Sequence, residues 1–113
     1  MNKYKAKKIV VDGITFDSKK EASRYVTLSK MADQGLITEL SRQVKYQLTP
    51  SMKGKLRSER ASHYVADFTY RDSGELVVED VKSEFTRKLP LYIIKRKLMM
   101  MIYNIETVSY THL

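Results

Sequence analysis

Asp67, Asp80 and Lys82 are the residues of this 113-residue chain whose types and spacing could do chemistry together. In Asp80-Val81-Lys82 a carboxylate and an ammonium stand two residues apart, which on a strand puts both on one face. Residues 61–71 read as a strand, Asp72-Ser73-Gly74 as a turn and residues 75–82 as the returning strand. With Ser73 and Gly74 at the turn centre, Asp72 faces Glu75, and the same register sets Asp67 directly across from Asp80. Cross-strand partners have Cβ atoms roughly 4.5–5.5 Å apart, a spacing at which two carboxylates can grip one divalent cation and without it repel. Hard oxygen ligands beside a lysine suit Mg²⁺ or Mn²⁺. Such an ion can clamp a scissile phosphate and acidify a bound water. Lys82 could orient that water or stabilise charge developing on the phosphate.

Two alternatives accompany that register. A one-residue slip in the turn hands the ligand role to Glu79, which otherwise points to the other face. The triplet can also be a plain ion-paired hairpin, Asp80 with Lys82 or Arg71; Asp17-Ser18-Lys19 is a second Asp-x-Lys in the same chain.

The elements around the hairpin supply further candidates. Residues 8–16 read as two short strands about Asp12-Gly13, a two-residue hairpin signal. Ser18 has N-cap chemistry, with Glu21 three residues on as in a capping box, and the helix should run to about Gln34, where Gly35 stops it. Glu21 shares the core-facing stripe of Tyr25, Leu28 and Ala32. Its carboxylate either folds back onto the Ser18 amide or serves as a third acid at the metal. Residues 36–48 alternate as a strand, on which Gln43 offers an amide either to the site or to a sheet-edge hydrogen bond.

Residues 49–60 read as a mobile basic loop carrying Lys53, Lys55, Arg57 and Arg60 against Glu59. Thr86 can cap a second helix that continues through Tyr103, with Pro90 in its first turn. Lys95, Arg96 and Lys97 form a basic run on it, opposite Tyr92, Ile94, Leu98, Met101 and Ile102, either meeting phosphate or merely solvating the helix. A final strand spans 105–110. Hairpin, helix, strand, hairpin, helix and strand in that order predict one α/β domain over 1–113, a mixed β-sheet flanked by helices.

Composition is compatible with this chemistry and removes others. The net charge of +8 and pI near 9.7 attract polyanions, with nucleic acid the leading partner and ribosome association or membrane-surface adhesion the alternatives. With no Cys there is neither a disulfide nor a thiolate site, which fits a reducing cytoplasm. His63 and His112 are too few for a zinc site. No apolar region follows the basic start as in a signal peptide, and the longest apolar run, 98–103, is too short for a bilayer.

Taken together, Phe16-Asp17-Ser18-Lys19-Lys20-Glu21-Ala22, Gln43-Val44-Lys45-Tyr46, Tyr64-Val65-Ala66-Asp67-Phe68, Val78-Glu79-Asp80-Val81-Lys82 and Lys95-Arg96-Lys97-Leu98 resemble the PD-(D/E)xK nuclease superfamily. The likeness to this restriction-endonuclease-like group runs from about Asn2 to Tyr103 and is strongest to a small phage-encoded branch. In layout that branch is similar to the transposon end-cleaving nuclease subunit and to archaeal Holliday-junction resolvases. The resemblance implies an αβββαβ core and Mg²⁺-dependent endonuclease activity on DNA in phage or mobile-element recombination or replication. It makes Glu21 the helix acid, Asp67 the central metal ligand, Asp80 the second ligand and Lys82 the motif lysine, with a homodimer as one way to cut both strands. Where the superfamily has Pro before the central Asp, this chain has Ala66. Inactive members of such a superfamily make a non-catalytic nucleic-acid-binding accessory protein the alternative.

Overall fold

The computed structural model describes residues 8–110, so His112 and the basic stretch 1–7 lie outside the described residues. The chain opens as a hairpin of β1 (Ile9–Val11) and β2 (Ile14–Phe16). Asp12 and Gly13 turn it with φ of 52° and 76°, the paired left-handed geometry that matches strand twist. Helix α1 (Lys19–Asp33) starts where Ser18 Oγ accepts the Glu21 amide at 3.1 Å. It stops at Gly35, whose φ of 77° lets the Leu36 amide turn back to the Met31 carbonyl at 2.9 Å.

Strand β3 (Thr38–Thr49) follows. Next come two-residue strands β4 (Met52–Lys53) and β5 (Ser58–Glu59), then β6 (Ser62–Asp72) and β7 (Glu75–Val81). The expected open loop over 49–60 is therefore a small hairpin, because β3 and β6 are consecutive antiparallel partners and carry their ribbon beyond the sheet. At the β6–β7 turn Asp72 pairs with Glu75, with Ser73 and Gly74 both at positive φ.

One helix from Thr86 to Tyr103 was the expectation; there are two. Ser83, not Thr86, caps α2 (Glu84–Arg87), its Oγ accepting the Thr86 amide at 3.1 Å. Pro90 lacks an N–H and disfavours helical backbone at the residue before it. Leu89 accordingly sits at ψ 135°, and α3 (Pro90–Tyr103) begins afresh. The last strand, β8 (Val108–Tyr110), is shorter than the expected 105–110, because Asn104 ends α3 in left-handed backbone and the chain must first return to the sheet.

The sheet order is β3-β6-β7-β8, antiparallel except for the parallel β7–β8 pair. It is a mixed sheet flanked by helices in a single small α/β domain. Phe16, Ala22, Leu28, Ile37, Phe68 and Tyr70 form the core under α1. Leu48, Tyr64, Ala66, Val78, Tyr92 and Met99 form the core with α3. Ala66 and Phe68 would share a face in a regular strand, yet they belong to different cores. That break in alternation brackets Asp67. Among the described residues no helix is long and apolar enough to cross a membrane.

Candidate active site

The regular β6–β7 ladder ends at the pair Phe68 and Glu79. One step further along the same register lie Asp67 and Asp80, where the strands part. Asp67 fills the gap with its side chain, Oδ2 accepting the Val81 amide at 2.9 Å. Lys82 Nζ stands 3.9 Å from both Asp67 Oδ2 and Asp80 Oδ1. The two acids and the lysine are therefore gathered at one point.

Asp80 is the unusual member. It is 0% exposed, and neither carboxylate oxygen has a hydrogen-bond partner. The neighbouring Tyr92 hydroxyl is bonded to Ser109 Oγ. Burial pushes the Asp80 carboxyl up to about 6, and the Lys82 charge, the Asp67 backbone and the nearby Tyr92 hydroxyl offset only part of that. A buried carboxylate without donors is costly, since such groups are ordinarily paired.

Glu21 arrives from the first turn of α1. The N-cap half of its expected box forms at Ser18, but the carboxylate turns to the sheet and not back to the cap. Gln43 Nε2 donates to Glu21 Oε2 at 3.2 Å and, at 3.4 Å, to Asp67 Oδ1. Burial first, then the Asp67 charge, raise the Glu21 pKa, while Arg42 opposes both. Gln43 thus serves the site and not a sheet edge.

Arg42 is a neighbour that sequence reasoning missed. Its Nη2 lies 3.5 Å from Glu21 Oε2, and its guanidinium rests over the Phe16 ring at 4.5 Å. Successive strand residues point to opposite faces, so alternation gave no reason to put Arg42 and Gln43 on one carboxylate. Gln43 has φ 50°, and this left-handed residue within β3 breaks the alternation. Tyr92, expected only as one of the residues opposite the basic run, is buried beside Asp80, a place that follows from how α3 packs.

Glu79 is not at the site. It is 1% exposed on the α1 side of the sheet, gripped by Arg24 Nε at 2.7 Å and Nη2 at 2.9 Å and by the Tyr70 hydroxyl at 2.8 Å. The register without a slip is the reason. Arg24 in turn covers the Tyr110 ring at 4.1 Å, so this network joins α1, β6, β7 and β8.

The helical basic run does not act as a unit. Lys95 lines a cleft of about 270 Å³ with Lys82, Tyr64, Thr86 and Tyr92. Arg96 and Lys97 turn elsewhere, toward Met100, Glu106 and Thr107, because successive helix residues lie about 100° apart. Of the expected apolar partners on that helix, Ile94, Met101 and Ile102 are exposed. Lys53, Lys55, Arg57 and Arg60 are exposed on the β4–β5 hairpin and its base.

A divalent cation fits the donor set at Asp67 and Asp80, for Asp80 holds two buried oxygens that lack a well-formed hydrogen bond. Among the described residues no three acidic or histidine side chains form a ready-made metal cage. Glu21, held by Gln43 and Arg42, is tied to Asp67 through the shared Gln43 amide. No curated protein and no solved structure matches the chain. A family model described as "Protein of unknown function (DUF1064)" matches residues 1–111, and the chain belongs to that family.

Proposed function

We propose that the protein is a Mg²⁺-dependent (or Mn²⁺-dependent) DNA endonuclease of the PD-(D/E)xK type. In this reading it works in the bacterial cytoplasm, in phage or mobile-element recombination or replication. The observation that carries it is the Asp80 carboxylate, buried with both oxygens unpartnered beside Asp67 and within ion-pair distance of Lys82.

Asp67 and Asp80 would hold the cation, with waters completing its shell as Mg²⁺ prefers. When bound, the ion supplies charge neutralisation at the scissile phosphate and acidifies water. Lys82, part exposed at the mouth of the cleft, places an ammonium where charge builds on the phosphate. Gln43 holds Glu21 and Asp67 in fixed relation, and Glu21, with its raised pKa, is suited to accept a proton from water. Lys95, across the cleft from Lys82, can take a neighbouring phosphate.

The test is a thermal-shift titration with Mn²⁺ alongside plasmid nicking in Mg²⁺. A saturable stabilisation lost in Asp80→Ala, with nicking lost in the same variant, supports the enzyme. Nicking that survives Asp80→Ala sinks it. One observation favours a second reading, a non-catalytic DNA-binding accessory: Lys82 stands 3.9 Å from each carboxylate and can balance one of the two negative charges in the absence of a cation. Salt-sensitive DNA binding without any metal response would favour that reading.

A further inference from the structure

The β4–β5 hairpin stands apart from the sheet. Its strands pair only with each other, Met52 with Glu59 and Lys53 with Ser58. The Gly54 amide donates to the Arg57 carbonyl at 2.9 Å, leaving Lys55 and Leu56 at the tip. A Cβ on Gly54 would stand 3.0 Å from that carbonyl, a tight contact that the turn would have to relax to admit. At the base, Thr49 Oγ1 meets Ser62 Oγ at 2.8 Å and accepts the Ser62 amide at 3.1 Å, clamping the two chains where they leave β3 and β6.

Its tip is chemically specific. Leu56 is 92% exposed, the most exposed large apolar side chain among the described residues. Lys53, Lys55 and Arg57 flank it, half-exposed Met52 shares its concave side, Arg60 stands at the hairpin base, and Glu59 is already paired to Arg57 at 2.9 Å. A protruding leucine flanked by cations matches a duplex, where phosphates flank a stack of apolar base faces. A membrane is the poorer occupant, since a single acyl chain already gives only marginal anchoring and one leucine offers far less apolar surface.

We propose that the finger is a DNA wedge: its cations straddle the phosphates of a duplex and Leu56 inserts between two base pairs, unstacking them. This rests on the DNA-binding reading above and adds to it a substrate class, duplexes that open or kink readily at one step, such as flexible pyrimidine–purine steps. Leu56 lies thirteen residues beyond Gln43, a reach of at most about 43 Å, so the wedge acts within roughly one and a half helical turns of the cut.

The chain has no Trp, so Leu56→Trp introduces a single indole reporter. The protein is titrated, in EDTA, with a 30-base-pair duplex while fluorescence and iodide quenching are followed. Strong quenching with loss of iodide access is expected on binding. Leu56→Ala should weaken duplex binding about tenfold with an unchanged salt slope and an unchanged melting temperature. Lys55→Ala with Arg57→Ala should instead lower that slope by about two. Salt-dependent binding that leaves the indole open to iodide overturns the wedge while the DNA reading stands. No duplex binding at any salt overturns both. Indole burial by phosphatidylserine vesicles and not by duplex overturns the wedge in favour of a membrane.

Discussion

Asp67 Oδ2 accepts the Val81 amide at 2.9 Å, which fastens one acid of the site to the strand that carries the other. The side chain replaces the ladder bond that the parting strands no longer make, so Asp67 has a structural task beside its proposed chemical one. Replacing it therefore moves two observables, and Lys82 chiefly one.

Asp67→Ala should lower cleavage at least about 100-fold, the scale of losing an electrostatic stabiliser from an active site. It should also cost about 1–3 kcal/mol of stability, because the Val81 amide is left without its acceptor. Lys82→Ala should lower cleavage on the same scale without orphaning the Val81 amide, its effect on stability being limited to the lost compensation of the Asp80 charge. Duplex affinity should stay within about threefold in both, the phosphate contacts lying elsewhere. Nicking assays, urea denaturation and anisotropy check the three quantities; full cleavage by either variant would reject the assigned roles.

The buried Asp80 sets a pH dependence. Its folded pKa of about 6 lies above the ordinary 3.8, so between these values the folded state binds more protons than the unfolded state, and stability falls as pH rises. About two units at about 1.4 kcal/mol each make the charged side chain cost up to about 3 kcal/mol at pH 7 without a divalent cation. Asp80→Asn should then be more stable than the wild type at pH 7 in EDTA, with the gap closing as pH falls from 7 toward 4. Melting curves across that range decide it, and a constant gap would contradict the assignment.

Glu79 and Arg24 should behave as a structural pair. Arg24→Ala leaves a buried carboxylate unmatched and should cost about 3–5 kcal/mol, much of it recovered when Glu79 is also made apolar. Mn²⁺ affinity of the folded double variant should match the wild type. A lost metal response there would mean that Glu79, and not Asp80, is the ligand.

Gln43 sits at φ 50°, a conformation that costs a non-glycine residue roughly 1–2 kcal/mol. Gln43→Gly should leave stability unchanged or raise it by up to about 1 kcal/mol, while cleavage falls because Glu21 and Asp67 lose their shared donor. Clear destabilisation, or undiminished cleavage, would show that the strain is unrelated to the site.

Lys95 and Lys97 distinguish the two sides of α3. Lys95→Ala should reduce cleavage and lower the salt slope of DNA binding by about one. Lys97→Ala should change cleavage little, for its side chain turns away from the Lys82 cleft. Equal effects would mean that the helix meets DNA along its whole length.

Local physics made much of this protein legible from its residues. Asp12-Gly13 and Ser73-Gly74 specify two-residue turns, and the second one, by the alternation of a strand, carries Asp67 to a place across from Asp80. Ser18 and Gly35 bound α1 through their own cap chemistry, and the order of elements is enough for a mixed sheet between helices. What needed the tertiary structure was whatever depends on a broken period or on a partner distant in sequence. Gln43 in left-handed backbone sets Arg42 and Gln43 on one carboxylate, against strand alternation. Arg24 meets Glu79 from another element 55 residues away, which removes Glu79 from the site. Asp80 lies on a strand covered by α3, fully buried and without a well-formed hydrogen bond. Periodicity tells which residues share a face; only packing decides what covers that face, and so which carboxylate is left without a partner.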